Sequence, residues 1–278
     1  ANIFHIKSSM NLQSSQSALK SKLAQLLGSS NEIITVDLAV QAWNISREQA
    51  RWFLYSFCKQ GWLSRIKRGY YVPVDLASNL KAPPLEHPWA VAAQLWEPCC
   101  IGGWTACEYW DFTEQIFNTV FILTTKQQPK KEYELNGTKY LLNTIQESMM
   151  FGTKTVWQGQ SKVQISDPSK TMIDMFYKPA YGAGIRQVIE FYKNYLNSKH
   201  KNIDLLVEYA LKFNKGVIFK RLGFITENFF PQEKAIIEVA LKNLSAGYSS
   251  LDIDLAKDRL VSKWRLWISN SWAKDISL

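Results

Sequence analysis

Three cations in four positions, Arg65, Lys67 and Arg68, stand beside Gly69 with no acidic residue near them in the sequence. Such charges repel one another at a tight turn. They are best matched by a polyanion, whose phosphates release counterions when neutralised and so make binding salt-dependent. Upstream, Arg47, Gln49 and Arg51 fall in the first two turns of a helical pattern. Arginine can bond a guanine edge through two hydrogen bonds, and glutamine an adenine edge, so this trio has base-reading chemistry. Tyr55 and Lys59, farther along the same pattern, suit phosphates. For the helix alone, a solvated face with ordinary charges is an equal alternative; the basic turn beside it favours nucleic acid.

These side chains need a helix and a hairpin to present them, and the stretch Thr35 to Pro73 supplies both. Thr35 can cap a short helix that turns Leu38, Ala39 and Ala42 inward, with Trp43 near its end. Ser46 to Gln49 matches the S-x-x-Q capping box, in which the two side chains satisfy free amides at a helix start. Ala50, Phe53, Leu54 and Phe57 then recur as one buried face, leaving Glu48, Arg51, Trp52, Tyr55 and Lys59 away from it. Gly61 ends the helix, Trp62-Leu63 opens a strand, and Tyr70 to Pro73 closes a hairpin. Helix, sharp turn, longer helix and basic hairpin make a winged helix-turn-helix, whose second helix enters the DNA major groove.

Charge is distributed accordingly. The 278-residue chain carries a formal +9; residues 1–73 hold nine Lys or Arg against three Asp or Glu, and the rest hold 24 against 21. A concentrated basic end suits a nucleic-acid partner, and a surface serving only solubility is the alternative. Cys58, Cys99, Cys100 and Cys107 form no C-x-x-C pair, so neither a metal site nor a disulfide framework is expected. No apolar run approaches the ~18 residues that span a bilayer, and no signal-peptide centre is evident. A cytoplasmic protein with no membrane partner is expected.

Val74 to Pro84 reads as a linker, stiffest at Ala82-Pro83-Pro84. It divides a winged-helix domain over 1–78, including a Ser- and Gln-rich flexible arm over 1–16, from a larger domain over 79–278. The larger domain opens with helical patterns at Pro88–Trp96 and Gly103–Trp110. A β-branched strand follows at Thr119–Thr124, then a hairpin over Lys131–Ile145 turning at Asn136-Gly137. Strands within Ser148–Trp157 and Lys162–Ile165 extend the sheet. Helices are predicted near 168–177, 183–197, 202–213, 216–226 and 231–244. Strands first and helices later give an α+β class: a winged helix, then a mixed α/β domain that is mostly helical at its C-terminal end.

The larger domain holds no P-loop, G-x-S-x-G, H-E-x-x-H or G-x-G-x-x-G. Asp167 and Asp174, seven apart on one helical face, could bind a metal in a nucleic-acid-modifying enzyme. Ser166-Asp167-Pro168 reads better as a helix start, however, with Asp167 or Ser166 as cap and proline in the first turn. Tyr181 to Gly184 could approach a phosphate or simply turn between helices. Lys220-Arg221 could extend a basic surface or favour a helix C-terminus. Trp264, Trp267 and Trp272 suit core or interface anchors. No enzymatic activity, cofactor or metal is therefore expected. A regulator whose larger domain senses a ligand or partner is the second reading.

Three stretches together, RGYYVP (68–73), SDPSKTMIDMF (166–176) and KRLGF (220–224), resemble the AbiEi antitoxins of type IV toxin–antitoxin, or abortive infection, systems. The wing is common to many winged helices; the phrase Ser166, Asp167, Pro168, Thr171 and Asp174 is more particular. The resemblance implies a transcriptional regulator whose winged helix binds inverted repeats of double-stranded DNA in its own promoter and represses the operon. It also implies a C-terminal domain that counteracts a co-expressed nucleotidyltransferase toxin in phage defence, without requiring a stable complex. DNA contact would then fall on Arg47, Gln49, Arg51, Lys59, Arg65, Lys67 and Arg68, and no catalytic residues transfer.

Overall fold

A three-residue turn, Asn44 to Ser46, joins the helices α2 (Val36–Trp43) and α3 (Arg47–Lys59), which follow α1 (residues 18–28) and the short strand β1 (Ile34–Thr35). Both helix starts are capped: Thr35 Oγ1 accepts from Leu38 N at 3.1 Å, and Ser46 with Gln49 closes the expected capping box. Asn44 ends α2 in the left-handed region (φ 50°), a conformation asparagine tolerates better than most residues. The chain then forms β2 (Leu63–Lys67) and β3 (Tyr70–Pro73), giving an antiparallel sheet in the order β1-β3-β2. A bulge between Arg65 and Lys67 and a turn through Gly69 (φ 87°) shape the hairpin tip. Leu23 and Leu26 of α1 pack with Ala39, Trp43, Ala50, Leu54, Phe57, Leu63 and Tyr71. Within α2 the inward residues are Val36, Ala39 and Trp43, while Leu38 and Ala42 are only half-buried. Trp43 takes the position expected for Ala42 because its ring meets Phe53 and Phe57 edge-on.

The computed structural model describes residues 18–28, 33–74, 85, 87–159 and 161–275. The expected arm (1–16) and the expected boundary between 78 and 79 lie outside them. The chain divides into two units: residues 1–95 with 134–138 and 157–162, and the remainder.

After α4 (Pro88–Trp96), a mixed sheet runs in the order β6-β7-β5-β4-β9-β8. Its strands are β4 (Cys99–Ile101), β5 (Thr119–Thr124), β6 (Glu132–Leu135), β7 (Thr138–Thr144), β8 (Thr153–Gln158) and β9 (Ser161–Ser166). α5 (Gly103–Tyr109) separates β4 from β5. Asn136 and Gly137 both have positive φ (48° and 77°), the signature of the tight hairpin expected there. Strand β8 begins later than expected, because residues 147–149 form a 3-10 turn.

The helical part follows as α6 (Pro168–Tyr177), α7 (Ile185–Asn197), α8 (Ile203–Phe213), α9 (Val217–Phe229) and α10 (Lys234–Lys242). α6 is buried from Pro168 to Phe176 and packs against α5, α7, α8 and α9. Beyond α10 the chain is not simply helical. Strands β10 (Ser249–Ser250), β11 (Arg259–Val261) and β12 (Leu266–Ile268) form a small sheet before α11 (Asn270–Asp275). Leu266 and Ile268 point inward with the two-residue period of a strand, and Trp264 is buried from the 3-10 turn that precedes it.

The KRLGF residues are structural. Lys220 and Arg221 are buried near the start of α9, which rules out both a basic surface and a helix C-terminus. Lys220 Nζ donates to the Gly247 carbonyl and to Ser249 Oγ. The Arg221 guanidinium donates to the carbonyls of Phe176 (2.9 Å), Tyr177 and Ser250, tying the end of α6 to β10. A Cβ on Gly223 would stand 2.0 Å from Trp264 Cζ3. Trp264 is itself buried and donates to Glu227 Oε2 at 2.7 Å. Gly223→Ala is therefore expected to cost about 1–3 kcal/mol through overpacking, read as a lower urea midpoint at unchanged m-value. An unchanged midpoint would mean that Trp264 can yield without loss.

Candidate nucleic-acid interface

The capping box fixes where α3 starts, and the buried stripe of Ala50, Leu54 and Phe57 fixes its rotation. Arg47, Arg51 and Tyr55 consequently share the flank that faces the hairpin. There they meet Arg65 and Arg68 across a cleft of about 510 Å³, with Thr35, Val36, Asp37, Gly69, Tyr70 and Tyr71 completing its lining. Four guanidinium groups and one carboxylate thus face a single open space.

The arginines are not equivalent. Arg47 Nη1 pairs with Asp37 Oδ1, both side chains being well exposed. Arg65 Nε reaches the Lys67 carbonyl at 3.4 Å. Burial raises the Tyr71 phenol above its ordinary pKa, while the nearby Arg65 and Arg51 pull it down. Burial likewise raises the Cys58 thiol, and Arg65 opposes it.

Of the eight residues expected to contact DNA, Arg47, Arg51, Tyr55, Arg65 and Arg68 line this cleft; Gln49, Lys59 and Lys67 do not. Gln49 Oε1 accepts from Ser46 N at 3.2 Å, and that bond engages the acceptor an adenine contact would need. Lys59 Nζ lies 5.6 Å from the centroid of the Tyr55 ring. Lys67 Nζ donates to the Leu95 carbonyl at 2.8 Å and sits 4.3 Å from the Tyr70 ring centroid. Lys67 thus engages the Leu95 carbonyl while Arg65 and Arg68 line the cleft. Asp37 and Tyr70 were missing from the expected set. Asp37 carried a usable signal, a carboxylate in the first turn of α2, but its pairing with Arg47 depends on the helix crossing.

The other candidate sites close on themselves. Asp167 caps α6 as expected, its Oδ1 accepting from Lys170 N at 2.9 Å and its Oδ2 from Tyr209 Oη at 2.8 Å. Asp174 is buried and paired with Lys170 Nζ, which lies 5.0 and 5.1 Å from the ring centroids of Phe151 and Phe213. Tyr181 to Gly184 turns between helices, and at the α7 start Asp252 Oδ2 accepts from Ile185 N at 2.9 Å, where an anion would otherwise sit. No group of three or more His, Cys, Asp or Glu among the described residues is placed to hold a metal ion. No helix among them is long and apolar enough to cross a membrane.

No protein-family model matches the chain, and no curated protein matches it. Among solved structures, the RV2827C protein from Mycobacterium tuberculosis is similar with a TM-score of 0.59 over 90% of each chain, at 10% sequence identity. Likeness at that identity carries the fold alone.

Proposed function

We propose that this chain is a sequence-specific double-stranded DNA-binding repressor. The observation that carries this reading is the arginine cleft: a capped helix and the basic hairpin that follows it turn Arg47, Arg51, Arg65 and Arg68 toward one space. A compact set of guanidinium groups is matched to phosphate oxygens and guanine edges. The resemblance in the wing, the Ser166–Asp174 phrase and KRLGF extends the reading to a cytoplasmic AbiEi-like antitoxin. Such a protein would repress its own promoter and counteract a co-expressed nucleotidyltransferase toxin. The reading assigns no catalytic role, in keeping with Asp167 and Asp174 serving as a helix cap and a buried ion-pair partner.

Fluorescence anisotropy on DNA from upstream of the gene, beside a shuffled duplex at two salt concentrations, tests the first half. The native fragment should bind more tightly, and both affinities should fall as salt rises. Equal or absent binding would remove the repressor role. Co-expression with the adjacent reading frame tests the second half, toxicity relieved by this protein being the expected result. A second reading, a ligand-sensing regulator, draws on a cavity of about 430 Å³ between the start of α7, Asp252, Asp254, Leu255 and Trp272. It gains if the neighbouring frame is not toxic.

A further inference from the structure

Resting on the DNA-binding reading, we infer that Trp52 is a base-reading residue that packs its indole against the 5-methyl group of a thymine in the major groove. Successive helical residues turn by about 100°. The buried face of α3 is centred between Ala50, Leu54 and Phe57. The direction opposite that face belongs to Glu48, Trp52 and Lys59, with Tyr55 at its edge toward the hairpin. Arg47 and Arg51 lie to one side of it, toward the hairpin. A helix laid in the groove with its core behind it meets the base edges with this outer stripe, and Arg51 borders the stripe on the hairpin side.

Trp52 is the apolar member of the stripe. It is 62% exposed, although α3 has a half-buried Phe53 beside it and a complete core face behind it. Its ring meets Phe53 edge-on, with centroids 5.1 Å apart. Tyr55, also exposed, has Lys59 over its ring. An indole offers a flat apolar surface and one N–H donor and no acceptor. On the major-groove edges the thymine methyl is the apolar feature that such a surface can distinguish. The inference adds a specificity determinant outside the polar residues that the sequence brought forward.

The test needs no prior operator. Duplexes are selected from a random-sequence library by the full-length protein and by Trp52→Ala, with circular dichroism confirming that the variant is folded. In the best duplex selected by the unaltered protein, each thymine is then replaced in turn by deoxyuridine, which removes only the methyl. One position should cost the unaltered protein roughly fourfold in affinity, the value of one buried methyl-sized group. It should cost Trp52→Ala nothing, and the thymine preference at that position should vanish from the variant's selected set.

If no deoxyuridine replacement weakens the unaltered protein, the inference fails while DNA recognition stands. That arm needs no folded variant. Equal cost in both proteins, or a uniform loss of affinity by Trp52→Ala on every duplex, also overturns it, making Trp52 a bystander or a general anchor. Failure of the unaltered protein to enrich any duplex removes the repressor reading and this inference together.

Discussion

Replacing Arg65 and Arg68 together by Ala should weaken binding to every duplex by the same factor. It should also lower the slope of log affinity against log salt by about two, close to one per lost phosphate contact. Both residues line the cleft opposite α3, and neither lies on the helix that would reach base edges. Lys67→Ala should change the slope little, because its ammonium is held by the Leu95 carbonyl and the Tyr70 ring. That contrast separates the folded geometry from simple charge counting, which would rank the three cations alike. Arg51→Ala should behave differently again, eroding discrimination between sequences by about 1–3 kcal/mol if it makes a bidentate base contact. A double variant with an unaltered salt slope would show that the hairpin does not touch the DNA backbone.

Lys170→Met is expected to destabilise the larger unit by about 3–5 kcal/mol, the cost of leaving one member of a buried ion pair without its partner. Lys170 and Asp174 are 1% and 2% exposed, so removing the ammonium leaves the carboxylate buried without its counter-charge. Changing both residues, to Met and Leu, should recover much of the loss, since an apolar pair of similar volume removes the desolvation cost altogether. Urea unfolding of the two single variants and the double variant measures this coupling directly. A fully additive cycle would contradict it.

The same pair predicts a pH dependence. Burial raises the Asp174 carboxyl above its ordinary 3.8, while the Lys170 charge and hydrogen bond pull it down. A raised acid binds its proton more tightly in the folded state, so its contribution is complete below the unfolded value and is lost as pH rises through the folded one. Without Lys170 the rise is larger. The stability gap between Lys170→Met and the unaltered protein should therefore be widest near neutral pH and narrow as pH falls toward 4. A gap independent of pH would show that packing, not charge, is what the substitution disturbs.

Local signals were legible wherever one element satisfies itself. The capping box at Ser46 and Gln49, the Asn136-Gly137 hairpin and the Asp167-Pro168 helix start are short-range hydrogen-bond patterns, and each appears where its residues stand. The mixed class and the order of strands before helices follow from the same patterns summed along the chain. The small sheet of β10, β11 and β12 was not legible, because strands of two or three residues carry too little periodicity to announce themselves. Their pairing, including the parallel match of β10 with β12, exists only once the intervening chain has folded back.

The chain's own order of residues determined that a capped helix and a basic hairpin would lie side by side, since propensity, caps and turn glycines act within a few residues. Tertiary packing decided which charges serve which end. It placed Lys220 and Arg221 beneath carbonyl groups instead of on a surface, and engaged Gln49 in a cap and Lys67 on a carbonyl. It also paired Asp37 with Arg47 across the helix crossing. A cation or carboxylate reads the same in sequence whether it will meet solvent, DNA or a buried carbonyl. The desolvation energy that separates these fates is set by neighbours tens of residues away, and those neighbours are assembled only by the fold.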